Sequence, residues 1–208
     1  MDDRFETGPA RLTRAAPEAG ATVIGHGRWN SAETRVRNAP TSVLLLAVPA
    51  ITAKAAEHDW LGEPTGPHLR INGIDGYRRN FEHGSVYWTR RTGAHELHGE
   101  IAEAWRRNGG ERSRLGFPTT DTRATDDGRG RYSHFEGGSV YWTPEHGAAM
   151  ICGMVRDAWA VLGWERSRLG FPVHDVVDEG GVRRGLFEHG SITWSPATGP
   201  LVAYDGGR

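Results

Sequence analysis

The sequence predicts an α+β fold, predominantly β, in which three tandem repeats each consist of a helix followed by a small antiparallel meander. The string ERSRLGFP occurs twice, starting at Glu111 and at Glu165. Leu61, Leu115 and Leu169 are separated by 54 residues, which places a third copy, WLGEP, in the same phase. A second string, FExGSxxW, follows each of these copies. A fixed period of this length is typical of a repeat architecture.

Each repeat is predicted to begin with a short amphipathic helix, because IAEAW from Ile101 and VRDAW from Val155 place apolar residues at positions i, i+3 and i+4. The LG of the LGFP string is predicted to stop that helix, since glycine adopts positive φ and the following proline cannot continue a helix. Three short strands are predicted next, in VHDVV, VRRGLF and SITW, separated by glycine-containing turns. One such unit cannot bury a sufficient core alone, so the repeats must pack on each other.

The chain divides into six segments on this scheme. Residues 1–20 are rich in proline, alanine and charge and are predicted to be disordered. A degenerate N-terminal half-repeat is predicted for 21–50, with one strand in TSVLL from Thr41. The repeats are assigned to 51–97, 98–151 and 152–200, and 201–208 form a tail. The array as a whole is predicted to be pseudo-symmetric and propeller-like or ring-like, with self-association into a homo-oligomer left open as a way of closing it.

Composition excludes several classes of partner and site. The formal net charge is −1, from 25 basic and 26 acidic residues, so nothing in the overall charge favours nucleic acid or an anionic membrane. The most apolar segment, Ser42 to Ile51, is shorter than the roughly 20 residues of a membrane span and is better interpreted as a buried core segment than as an export signal. The single cysteine, Cys152, excludes an intramolecular disulfide.

The repeated strings resemble the LGFP repeat family. The resemblance is carried by LGFP, by RYSHFEGGSVYWTPEHGA and by the 54-residue period, and it extends from about Ile51 to Thr198. Members occur in tandem on cell-envelope proteins of mycolic-acid bacteria and their relatives, often appended to enzymes. The resemblance implies non-catalytic modules that bind cell-wall polysaccharide. This chain departs from the pattern at Glu63, which replaces the phenylalanine of the first copy, and it has no recognisable enzyme domain.

Aromatic residues at repeated positions give the first candidates for a binding surface. Trp88, Trp142 and Trp194 occupy one repeat position and are predicted to fill the core. Because side chains alternate along a strand, Tyr87 and Tyr141 are then predicted to point outward, where a flat ring stacks on a sugar. Ordinary surface or inter-repeat packing is the alternative for both tyrosines.

Turn residues supply the remaining candidates. The phenylalanine of LGFP is predicted to wedge into the neighbouring repeat or to line a groove. The arginine two residues before its glycine is predicted to bridge to Glu136 or Glu188 or to contact a polar ligand, and a histidine stands in two of the FExG turns. The predicted ligand-binding residues are Tyr87, Tyr141, His83, His189, Arg114, Arg168, Phe117 and Phe171.

No motif for catalysis or metal binding is found. His95 and His98 lack the HExxH spacing of a zinc site, no nucleophile signature is present, and the only lysine, Lys54, lies outside any P-loop. No catalytic residue, metal or cofactor is therefore predicted.

Two functions are compatible with the residues: a cell-wall glycan-binding repeat protein, or an intracellular enzyme or small-molecule-binding protein whose repeats enclose a central aromatic pocket. The resemblance implies the envelope or secretion, and the lack of a clear export signal leaves the cytoplasm as the alternative.

Overall fold

The computed structural model describes residues 41–206. Within this range the chain forms three α-helices, three short 3-10 turns and twelve β-strands. Residues 1–20, predicted to be disordered, and 21–40 of the predicted half-repeat lie outside the described residues. No helix in the described range is long and apolar enough to cross a membrane.

A helix precedes each of three four-stranded antiparallel sheets, in which the strands follow their order along the chain. The helices are α1 (Thr41–Ala56), α2 (Gly99–Arg107) and α3 (Gly153–Leu162). The first sheet contains β1 (Leu69–Arg70), β2 (Gly76–Asn80), β3 (Ser85–Thr89) and β4 (Gly93–Leu97). The second contains β5 (Arg123–Ala124), β6 (Arg131–Phe135), β7 (Gly138–Thr143) and β8 (Gly147–Cys152). The third contains β9 (Val177–Glu179), β10 (Val182–Phe187), β11 (Gly190–Ser195) and β12 (Gly199–Tyr204).

The prediction of a strand at Thr41 is wrong, because this segment is the N-terminal part of α1. Val43, Ala47 and Ile51 recur every four residues and are all buried, which is the spacing of one helical face. Helix α1 packs on β2, β3 and β4. Residues 41–50 therefore belong with the helix of the first repeat and not with a separate half-repeat.

Each repeat has one more strand than the sequence predicted. The additional strands are β4, β8 and β12, and β12 includes residues 201–204 of the predicted tail. The LG pair does not stop the helices, since α2 ends at Arg107 and α3 at Leu162, several residues before Leu115 and Leu169. A 3-10 turn, Gly110–Arg112 in the second repeat and Trp164–Arg166 in the third, lies between the helix and the LGFP string.

Helix tryptophans join consecutive repeats. Trp105 of α2 is fully buried between Tyr87 of the first sheet, with ring centroids 4.8 Å apart, and Phe135 of the second, at 5.7 Å. Trp159 of α3 lies in the same way between Tyr141, at 4.7 Å, and Phe187, at 5.2 Å. Helices α2 and α3 therefore each pack against their own sheet and, through the tryptophan, against the sheet before it.

This packing overturns the predicted exposure of the two tyrosines. Tyr87 and Tyr141 are only 1% and 2% exposed, because the helix of the following repeat covers the face from which they project. Inter-repeat packing, the alternative interpretation, is what the structure contains. Thr193 stands at the equivalent position of the third repeat, and no helix follows it in the described part of the chain.

The LGFP phenylalanines wedge into the preceding repeat, as the packing interpretation predicted. A methyl group on Gly76 would lie 2.7 Å from Cζ of Phe117, and one on Gly130 would lie 2.9 Å from Cε1 of Phe171. Both rings are buried. These contacts and the tryptophan contacts link the first repeat to the second and the second to the third, and closure into a ring stays a prediction.

Candidate functional site

The length of the repeat helix determines whether the sheet tryptophan is covered. With the 54-residue spacing, Gly99 at the start of α2 corresponds to Leu45, so α1 begins four residues earlier than its counterparts. In that additional turn, Val43 and Leu44 join the cluster around Trp88, which is only 5% exposed. Helices α2 and α3 lack the turn, and Trp142 and Trp194 are half-buried.

An arginine lies beside each of these half-buried tryptophans. On the second sheet Arg131 is the cross-strand neighbour of both Trp142 and Ala124. On the third sheet Arg183 is the neighbour of both Trp194 and Asp178. Directly opposed residues in antiparallel strands share a face, so each row presents a ring and a guanidinium side by side.

Arg131 and Trp142 of the second sheet line a pocket of about 260 Å³, here called the first groove. It is lined by His98, Gly99, Glu100, Ile101, Thr122, Arg131 and Trp142. The second groove is the equivalent surface around Met154, Arg183 and Trp194, where Met154 is 42% exposed. A flat ring next to charged and hydrogen-bonding groups is an arrangement that binds the apolar face and the hydroxyls of a sugar.

His98 in the first groove is held by a buried carboxylate. The side chain of Glu96 is 1% exposed; its Oε2 lies 2.9 Å from Nδ1 of His98, and its Oε1 accepts the backbone N–H of Thr122 at 2.9 Å. Arg131 Nη1, which only donates, lies 2.6 Å from Nε2 of His98. The proton of a neutral His98 ring is therefore on Nδ1, where it is donated to Glu96, and Nε2 accepts from Arg131.

Behind the first groove, Asp121 connects the first repeat to the second. Its Oδ2 lies 3.0 Å from Nζ of Lys54, and its Oδ1 lies 3.2 Å from Nδ1 of His95 and accepts the backbone N–H of Glu96. Burial alone would raise the pKa of Asp121, but the hydrogen bonds from His95, Lys54 and the Glu96 backbone outweigh it, so the pKa lies well below its ordinary value. This carboxylate is ionised and structural at neutral pH.

Among residues 41–206, two groups of histidine and carboxylate ligands lie close enough to hold a metal, but both already contain a cation. In Glu57, His58 and Asp121 the ammonium of Lys54 contacts both carboxylates. In Glu145, His146 and Glu188 the guanidinium of Arg129 lies 2.5 Å from Glu188. A metal would have to displace these side chains.

The FExG glutamate explains the repeated LGFP string. In the second repeat Oε2 of Glu136 accepts the backbone N–H of Phe117 at 3.0 Å, and in the third Glu188 accepts that of Phe171 at 3.1 Å. The intervening Gly116 has φ of 68°, and any side chain on it would collide with the Glu136 carboxylate. Glycine is therefore required here for both its conformation and its size.

The predicted bridges from Arg114 and Arg168 to these glutamates are wrong. Glu136 pairs with Arg91 of the preceding repeat, and Glu188 with Arg129. The predicted arginines are exposed and lie elsewhere: Nη1 of Arg114 is 3.5 Å from Sγ of Cys152, and the guanidinium of Arg168 lies over Tyr204 at 4.6 Å.

The remaining predicted residues do not converge with the grooves. His83 and His189 are exposed on their turns, and their backbone N–H groups donate to the carbonyls of Leu61 and Leu169. His83 lines an adjoining pocket of about 290 Å³, which shares His98 and Gly99 with the first groove. Sequence reasoning missed Trp142, Trp194, Arg131, Arg183 and His98 as surface residues. Finding them required β4 and β8, which the sequence did not predict and which end directly before α2 and α3, leaving no residues for an additional turn.

The family model for the LGFP repeat matches residues 61–113, 115–167 and 169–206. The three matches cover more than half of the chain, and each begins at the leucine of an LGFP or LGEP string, so that the first two contain one sheet and the helix that follows it. No curated protein matches the chain at a significant level.

Proposed function

Since the chain belongs to the LGFP repeat family, we propose that it is a non-catalytic, carbohydrate-binding repeat protein of the cell envelope that holds a wall polysaccharide in its two grooves. One observation carries the proposal: Trp142 and Trp194 occupy the same place in two repeats, each half-buried and next to an arginine. The first repeat covers its equivalent, Trp88. Repeated sites suit a polymer, because a polysaccharide presents repeated sugar units.

The alternative of a small-molecule pocket enclosed by aromatic repeats finds less support. Its candidate walls are the rings between the second and third repeats, where Trp159 lies 4.7 Å from Tyr141 and 5.3 Å from Trp164. Rings at these separations are in contact and fill the space between them. Trp142 and Trp194 pack against this cluster and are only partly buried, so part of each ring remains accessible.

Cosedimentation of the purified protein with envelope polysaccharide and with peptidoglycan tests the proposal. We expect saturable binding that weakens about tenfold or more in Trp142→Leu and again in Trp194→Leu, because leucine keeps apolar area but loses the flat face. Trp142→Phe is the matched variant, and it should retain more affinity than Trp142→Leu.

Two controls separate binding from stability. Circular dichroism should be close to wild type for all variants, and the midpoint of unfolding should fall only slightly, since each substituted ring is half-buried. Val161→Ala, on a residue that is 88% exposed on α3, should bind as wild type. Absence of binding to every wall fraction by the folded wild-type protein would sink the proposal.

A further inference from the structure

We propose that the two grooves differ in the charge of the sugar they take: the first groove selects a sugar with an anionic substituent, a carboxylate or a phosphate, and the second a neutral sugar. This inference rests on the proposed function. It comes from a single difference between otherwise equivalent rows, Ala124 with Arg131 in the first groove and Asp178 with Arg183 in the second.

In the second groove the arginine is neutralised within the protein. Nε of Arg183 donates to Oδ2 of Asp178 at 3.1 Å, and the two side chains are 36% and 39% exposed. The guanidinium also lies 5.5 Å from the ring of Trp194. An anion entering this groove would have to compete with a carboxylate that is already in place.

In the first groove the arginine has no such partner. Ala124 occupies the position of Asp178, and among the described residues no carboxylate lies within ion-pair distance of Arg131. One nitrogen of Arg131 contacts His98, which fixes the guanidinium over the groove. The remaining N–H groups are available to a ligand, and a guanidinium in a fixed orientation suits the two oxygens of a carboxylate or phosphate.

Two acidic groups lie near Arg131, and neither forms an ion pair with it. Glu96 is buried and committed to His98 and Thr122, so it acts by orienting His98. Glu100 is exposed and lines the groove, where its carboxylate opposes an anionic ligand. Glu100→Gln is therefore expected to strengthen the binding of an acidic sugar, and it should leave the binding of a neutral sugar nearly unchanged.

The test uses NMR titration of the full chain with galacturonic acid, galactose 6-phosphate and galactose, and with inorganic phosphate as an anion without a sugar. The indole N–H signals of Trp142 and Trp194, assigned with Trp→Phe variants, report on each groove separately. We expect the Trp142 signal to respond to at least one acidic sugar at about tenfold lower concentration than to galactose. Comparison of the two acidic sugars distinguishes a carboxylate from a phosphate as the anionic group.

Exchanging the acidic residue between the rows provides the decisive variants. Ala124→Asp should reduce the response of Trp142 to acidic sugars to the level of galactose, whereas the uncharged Ala124→Asn should not. Asp178→Ala should make Trp194 respond to acidic sugars. Because Ala124 and Asp178 lie on exposed strands, these changes are compatible with the folded repeat.

Several outcomes would overturn the inference. Equal responses of Trp142 to galactose and to both acidic sugars, or an unchanged response in Ala124→Asp, would refute charge selection and leave the proposed function intact. Inorganic phosphate that binds as tightly as galactose 6-phosphate would mean an anion site with no role for the sugar. No response of either indole to any of the three sugars would count against both proposals.

Discussion

The contact between Phe117 and Gly76 gives the sharpest test of how the repeats hold together. Gly76→Ala would place a methyl group 2.7 Å from Cζ and 3.0 Å from Cε1 of Phe117. Carbon atoms normally approach to about 3.5–4.0 Å, so the ring must retreat by roughly 1 Å. Overpacking of this kind costs about 1–3 kcal/mol of the free energy of unfolding.

Phe117→Ala removes a buried ring and should cost about 3–5 kcal/mol. In the double variant the added methyl group no longer meets the ring, so its cost should be close to that of Phe117→Ala alone. The two single effects should therefore exceed the double effect by about 1–3 kcal/mol, which is the coupling energy of the pair.

Urea denaturation followed by circular dichroism measures all three free energies, with unchanged m-values as the check that the unfolding transition is the same. Gly66→Ala is the control, because no atom lies within 4 Å of the added methyl group. Its effect should stay within about 0.5 kcal/mol. Additive effects of Gly76→Ala and Phe117→Ala would refute the wedge, since independent sites do not couple.

Two further predictions concern a half-buried histidine and a glycine at positive φ. Burial, with Arg156 and Arg123 nearby, lowers the pKa of His134 from 6.5 to about 4. As the pH falls from 6.5 to 4, the unfolded chain binds this proton before the folded protein does, so the free energy of unfolding decreases. In pH-dependent denaturation, this decrease should be about 1–3 kcal/mol smaller in His134→Asn than in wild type, a range that allows for solvent access to the ring. Equal slopes for the two proteins would contradict this. Gly170 has φ of 73° and lies against the Glu188 carboxylate, so Gly170→Ala should lower the free energy of unfolding by about 2–4 kcal/mol in chemical denaturation. Gly180 has φ of 63° but open space around it, so Gly180→Ala should lower it by only about 1 kcal/mol. Similar losses in both would show that the carboxylate contact carries no energy.

The repeat architecture was predictable because recurrence of LGFP and FExGSxxW is visible in the letters themselves. Strand alternation also predicted correctly that Tyr141 and Trp142 project from opposite faces. It could not predict which face is covered, since the tyrosine face is covered by the helix of the next repeat, and the tryptophan face is covered only where the helix of its own repeat has an additional turn. Tyr141 therefore became the buried residue and Trp142 the accessible one.

Segments whose apolar residues fit two periods were the other source of error. In TSVLLLAVPAI nearly every position is apolar, so neither a period of two nor one of 3.6 stands out. Strand β12 was missed for the opposite reason: its residues Leu201 and Val202 are 55% and 38% exposed, and they extend a sheet edge without entering a core. The arginine rows required the strand register, which sequence alone does not provide.

The helix tryptophan that contacts two sheets has a consequence for how such an array can change its length. A unit inserted between the second and third repeats would present a tryptophan to Tyr141 and a tyrosine to Trp159, so both new junctions would repeat the existing contacts. A unit appended after β12 would meet Thr193, which offers no ring to its tryptophan. Growth from within thus preserves every junction, whereas growth after the third repeat first requires a change at Thr193.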